Sequence, residues 1–369
     1  MKKYDNIQVL RIAACLGVFI THLAPRMGVT GRAASVANFG AAGVYLFFMI
    51  SGFLACRAKD IQPGSGWRSI LIYYCKRMLR VLPLYYAVVL YNVLLHHLFL
   101  QDVPADPAGL YWFRYIFLTN AFIPAPGNFW ANLCATWTVS LFCVFYICAP
   151  VLVRIAGGQG KKSNILRTAV LYMAALLLRY LWVGAGLSSY MMYFYYLHFF
   201  VLGMLVCQLA YHYRPVGGAL RFSMFAAVIW GVIEIGGAEN DYFTCISWVF
   251  ALVILLTGEF SWKCDKTEAS GRYCPTKPVT VGAKAAGEGW RAGAVRMLNL
   301  LDEHSYAIYL VHAVVIDGIG MLQTHVQLGG IAVLGIAVIL TAVGAWLAHL
   351  LIEKPAEKLT QSLVAALRK

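Results

Sequence analysis

Charge is scarce in this sequence. Asp, Glu, Lys and Arg supply 12% of its 369 residues, and 61% are apolar, where a soluble protein carries about 25% charged and about 45–50% apolar residues. That poverty excludes a soluble enzyme, a fibrous protein and a disordered regulator. Acid is scarcer still, with 16 Asp and Glu against 30 Lys and Arg, for a net charge of +14. In a soluble chain such an excess would point to nucleic acid. In a membrane protein the placement of basic residues matters more than their sum, and no nucleic-acid partner is expected. Ten cysteines are present, yet no Cys-x-x-Cys occurs. Cys264 and Cys274 share a polar loop without a nearby His, so neither a disulfide framework nor a metal centre is expected. Cys15, Cys56, Cys75, Cys134, Cys143, Cys148, Cys207 and Cys245 lie in or beside apolar runs, where thiols behave as small hydrophobes. No glycine-rich nucleotide motif and no internal repeat is visible.

What the chain has instead is long apolar runs, with a mean hydropathy of +0.69. Windows of the roughly 20 residues that cross a bilayer fall near 7–24, 40–56, 81–100, 134–153, 167–184, 193–211, 222–238, 243–260, 305–323 and 330–352. Met1-Lys2-Lys3 ahead of the first window imitates a signal peptide, but Arg11 within it and nine further windows read as a retained helix. With a cytoplasmic N-terminus, 25 of the 30 basic residues fall inside; Arg26, Arg32 and Arg114 fall outside, and Arg11 and Arg179 within spans. Acidic Asp102, Asp106, Glu239 and Asp241 then all lie outside. The positive-inside rule selects this orientation. The expected fold is all-α: one polytopic domain over 1–369, about ten transmembrane helices, both termini cytoplasmic. Residues 101–133, with Trp112 and Trp130, are expected as an extracytoplasmic loop or cap. Residues 261–304 are expected as a cytoplasmic connector.

Function is sought among ionisable residues inside the spans, because each costs about 2.5–3.5 kcal/mol to insert. Arg11 and His22 share one face of the first helix, eleven residues and about 16 Å apart. A snorkelling Arg and an interfacial His are the plain alternative. Ser51-Gly52 in the second span permits a close backbone approach. Lys76-Arg77-Met78-Leu79-Arg80 opens the third span, where paired guanidiniums hold phosphates or simply anchor the helix. Arg179, His198, Glu234, His312 and Asp317 are further intramembrane ionisable residues, and His96 and His97 read as interfacial.

These pieces together resemble the acyltransferase-3 family of integral membrane O-acyltransferases. The matching segments are Arg11 with His22, Phe47-Phe48-Met49-Ile50-Ser51-Gly52-Phe53, Arg77-Met78-Leu79-Arg80-Val81-Leu82-Pro83, Trp137-Thr138-Val139-Ser140 with Phe145-Tyr146, Phe200-Val201-Leu202-Gly203-Met204, Ser305 through His312, and Ile352-Glu353-Lys354-Pro355. The resemblance implies transfer of an acyl group, usually acetyl from acetyl-CoA, to a hydroxyl of an extracytoplasmic glycan or cell-envelope molecule at the plasma membrane. It implies His22 as the catalytic histidine, acting as general base in direct transfer or as a covalent acyl relay, Arg11 as its motif partner, and Arg77 and Arg80 as donor contacts. Lys76, Ser51 and Tyr306 are placed with them on the acyl-CoA side, and His312, Arg179 and Trp137 on the substrate side. Two positions depart from the family pattern: Phe142 and Tyr45 stand where many members carry Glu and Asp. A transporter or flippase, and a family member retained as a binding module, are the rival readings. A homodimer is left open.

Overall fold

The computed structural model describes residues 5–95, 111–119, 133, 135–158, 160–185, 193–212 and 289–368. The predicted spans at 222–238 and 243–260, His96, His97, Glu234, Trp112, Trp130, Cys134, Cys245, Cys264 and Cys274 fall outside those residues or have side chains outside them. Everything described is helix and short connection, with no strand among the described residues. The helices are α1 (Asp5–Arg26), α2 (Gly31–Phe39), α3 (Gly43–Cys56), α4 (Trp67–Leu94), α5 (Tyr111–Ile116), α6 (Thr136–Ala156), α7 (Lys161–Gly184), α8 (Tyr193–His212), α9 (Gly289–Gln323), α10 (Gly330–Ala348) and α11 (Lys354–Arg368).

Among the described residues, six helical stretches are long and apolar enough to cross a membrane: Ile7–Arg26, Gly31–Cys56, Thr136–Ala156, Lys162–Gly184, Arg296–Gln323 and Gly330–Arg368. Helix is the natural state there because hydrocarbon offers the backbone no outside partner. The outer faces of α7 and α10 are lined with exposed Leu166, Val170, Leu177, Leu181, Ile331, Val338 and Ile339, surfaces suited to lipid and not to water. Two predicted boundaries are corrected. The third span was expected from residue 81, yet α4 starts at Trp67 and carries Lys76, Arg77 and Arg80 as part of its helix. Residues 289–304, expected in the connector, are the first turns of α9. Both errors have one cause: charged residues end an apolar window without ending the helix.

The core is built around α3 and α8. A Cβ on Gly52 would overlap the carbonyl oxygen of Phe200, and one on Gly203 would overlap that of Met49. Two reciprocal glycines thus let these helices touch backbone to backbone, the small-residue solution where no hydrophobic force drives helices together. Around the crossing, Phe48 stacks on Phe200 at 4.7 Å and Phe145 on Phe200 at 4.2 Å.

α1 and α9 pack side by side in a constant register. Gln8 bonds Asn299, Arg11 bonds Asp302, Cys15 donates to the Ser305 carbonyl and His22 meets His312. Each partner lies 290 or 291 residues further on, so the two helices run parallel. An odd number of crossings must therefore separate them.

The predicted tenth span ends at 352, but helix continues through a π turn at His349–Glu353 into α11. Lys354 N–H bonds the His349 carbonyl, five residues back. Pro355 has no N–H for the Leu351 carbonyl, so the regular ladder breaks there and one extra residue enters the turn. That turn brings His349 Nδ1 within 2.7 Å of Glu353.

Candidate active site

The α1–α9 seam holds two polar contacts, one above the other. At the lower level Arg11 Nη1 lies 2.5 Å from Asp302 Oδ1, with 20% and 24% of the side chains exposed. At the upper level His312 Nε2 lies 3.3 Å from His22 Nδ1, the rings 5.2 Å apart and tilted by 45°. Eleven residues of α1 and ten of α9 separate the levels, about 15–16 Å of helix. Neither Arg11 nor His22 points into lipid; both turn into the seam.

The histidine pair has a defined proton order. His312 Nδ1 is 3.2 Å from the Ile308 carbonyl, and His22 Nδ1 is 3.0 Å from the Val18 carbonyl. Carbonyl oxygens only accept, so each neutral ring carries its proton on Nδ1. His312 Nε2 then offers a lone pair to the shared His22 Nδ1–H, and His22 Nε2 is left as the basic nitrogen. An imidazole with a free lone pair and a protein-held orientation is what general-base work requires. Tyr309 supports this level: its hydroxyl is 3.1 Å from Thr138 and its ring 5.7 Å from His312.

Below lie two cavities. One, about 460 Å³, is lined by Ile7, Gln8, Arg11, Leu54, Asn299, Asp302 and Glu303. The other, about 430 Å³, is lined by Lys76, Leu79, Arg80, Glu303, Tyr306, His349, Glu353, Glu357, Thr360, Gln361 and Val364. Glu303 belongs to both, so the cavities adjoin. His22 lines neither of these two cavities.

The predicted donor residues separate. Lys76, Arg80 and Tyr306 meet in the second cavity, Lys76 bound to Asp60 at 2.6 Å and the Tyr306 hydroxyl donating to the Val81 carbonyl at 2.7 Å. Arg77 is absent from that lining and lies 5.7 Å over both the Tyr73 and Tyr146 rings. Helical geometry explains the correction: residues 76 and 80 are about 40° apart around α4, whereas 77 and 80 are about 60° apart, which carries Arg77 towards α6. Ser51 is half-buried on α3 and lines neither cavity.

On the substrate side the outcome is mixed. His312 sits directly against His22. Trp137 is 9% exposed and packs among Phe48 and Tyr196. Arg179 lies 4.5 Å over the Tyr195 ring and donates to its hydroxyl, in the α7–α8 seam. Phe142 and Tyr45, at the positions of the common family acids, join the aromatic core: Phe142 is edge-on to Phe48 at 5.1 Å, and Tyr45 stacks on Phe199 at 4.8 Å. Sequence reasoning missed Asp302 and Glu303, because a carboxylate pair on the flank of an apolar run looks like ordinary flanking charge. A heptad-like register against α1 is visible only once α9 is placed beside it. Among the described residues no cluster of His, Cys, Asp or Glu has the makings of a metal site.

A family model described as an acyltransferase domain, acyltransferase family 3, matches residues 4–350, nearly the whole chain. The chain belongs to that family. No curated protein and no solved structure gives a match. Both polar levels of the α1–α9 seam lie within the matched region, and the protein is a membrane acyltransferase of family 3.

Proposed function

We propose that this family 3 acyltransferase moves an acyl group, acetyl by default, from cytoplasmic acyl-CoA to a hydroxyl of an extracytoplasmic glycan or other cell-envelope molecule. It would do so in the plasma membrane, crossing it ten times with both termini in the cytoplasm. The observation that carries the reading is the His22–His312 contact, which leaves His22 Nε2 unprotonated at the upper level of a seam whose lower end opens onto cavities that hold Arg11, Lys76 and Arg80 in their lining.

His22 Nε2 takes the proton of the acceptor hydroxyl as its oxygen attacks the thioester carbonyl. The carbon–sulfur bond then breaks, and the imidazolium returns the proton to the departing CoA sulfur. His312 holds the ring and its tautomer, the task a carboxylate would otherwise perform. At the lower level Lys76 and Arg80 supply the positive wall for the donor's phosphates. Glu303, Glu353 and Glu357 share that cavity and confine the anionic end of the donor to that wall, while accepting hydrogen bonds from its amides and hydroxyls. The donor arm then rises past Arg11 towards the histidines, so no phosphate enters hydrocarbon.

The test uses labelled acetyl-CoA with the protein in proteoliposomes and an envelope glycan extract as acceptor. His22→Ala is expected to lower acyl transfer by about 10²–10⁴-fold, the worth of a positioned base, with insertion and yield unchanged. A fully active variant overturns the reading. Solute movement without acylation would instead mark a transporter.

A further inference from the structure

One cation in the seam has no role in that scheme. Arg26 closes α1 at the end opposite Arg11, one turn beyond His22 and on the same face, since residues four apart are neighbours on a helix. Its guanidinium lies flat on α9 at Gly320: a Cβ there would overlap the guanidinium carbon and both terminal nitrogens. Gly320 is itself buried. Gln323 Nε2, less than one turn further along α9, donates to the Arg26 carbonyl at 2.8 Å and ties the two helix ends together. Each other cation of the seam and its cavities that has a carboxylate partner is accounted for, Arg11 by Asp302 and Lys76 by Asp60. No Asp or Glu among the described residues pairs with Arg26. A guanidinium in a fitted bed at the rim of a membrane span, with no carboxylate on it among the described residues, is a place for an anion.

Distance decides which anion. Eight residues of α9 separate His312 from Gly320, about 12 Å of helix. That is too far for Arg26 to meet the oxyanion formed beside His22, and it is the right order for a group carried by the acceptor beyond the reacting sugar. We propose that Arg26 is a specificity-determining contact for an anionic acceptor, one that carries a carboxylate or phosphodiester about 12 Å from the hydroxyl that is acylated. Gly320 is the residue that makes room for it. This deepens the acyl-transfer reading and rests on it for the identity of the reacting hydroxyl.

The experiment measures binding and turnover separately. Three probes are offered to the proteoliposome-embedded protein: an oligouronate, its carboxyl-reduced neutral counterpart, and a glycerol-phosphate oligomer. Equilibrium binding needs no catalysis, so it tests Arg26 even if acyl transfer fails, while release of CoA from labelled acetyl-CoA to water reports on His22 alone. The wild type is expected to bind one of the anionic probes about tenfold to a hundredfold more tightly than the neutral one, the worth of one charge-assisted pair. Which anionic probe prevails distinguishes carboxylate from phosphodiester. Arg26→Gln is expected to erase that preference and Arg26→Lys to restore part of it, with CoA release unchanged in both. Gly320→Ala is expected to weaken the preference by displacing the guanidinium. Equal binding of charged and neutral probes by the wild type, or an equal fall for all three in Arg26→Gln, overturns the proposal.

Discussion

At the residue scale, the informative positions are those where one side chain decides what another is able to do. His312 lines neither of the two cavities described, yet its Nε2 faces His22 Nδ1 and its own Nδ1 is committed to the Ile308 carbonyl. If it acts by positioning, His312→Ala is expected to lower kcat by about tenfold to a hundredfold, a part of what a placed base supplies, with the KM for acyl-CoA unchanged. His312→Gln keeps an acceptor in reach of His22 Nδ1–H and is expected to recover much of the loss. Equal loss in both variants would show that the histidine serves packing alone. Phe142 and Tyr45 complete the picture. Where acids are common in the family, this chain buries rings against Phe48 and Phe199, and a second imidazole stands beside the first. The Arg11–His22 pairing was legible from sequence because helical spacing alone puts both on one face. The proton order was not, since it depends on a residue 290 positions away.

At the element scale, helix contacts in this protein are set by small residues and by breaks in the hydrogen-bond ladder. The α3–α8 crossing requires that Gly52 and Gly203 have no side chain. Gly52→Ala is expected to force the helices apart, a cost of about 1–3 kcal/mol typical of overpacking, read as a lower midpoint of thermal unfolding in detergent. An unchanged midpoint would mean that the crossing is looser than described. The Ser51-Gly52 pair signalled a close approach in the sequence, but its partner, Phe200 on α8, was not legible, because nothing local specifies which helix a glycine will meet. The π turn at His349–Glu353 was equally hidden. Pro355 entered the sequence reading only as part of a family segment, and the placed helix shows that it breaks the ladder and turns Glu353 onto His349 and into the cavity of Arg80.

At the scale of the whole molecule, parallel packing of α1 with α9 ties the count of crossings to an odd number between them. Seven spans there, as the apolar windows give, meet that requirement. The proposed orientation is checked by placing single cysteines in a functional variant stripped of its own. Cysteines at positions 68 and 368 are expected to react with an impermeant maleimide only after the membrane is opened, and one at position 32 from outside. The reverse pattern would invert the whole topology and, with it, the assignment of donor and acceptor sides.

What the sequence determined by itself is one-dimensional: that the chain lives in a bilayer, where its apolar runs lie, how unevenly its basic residues are spread between them, and that Arg11 and His22 share a face. Composition and helical periodicity act over neighbours in the chain, and these properties need nothing else. Only the tertiary structure decided the partners. Asp302 for Arg11, His312 for His22 and Gly320 for Arg26 all follow from which helix packs on which and in what register. A contact between residues nearly 300 positions apart leaves no local mark, because the energy that selects it comes from burying two helix faces against each other and not from either face alone.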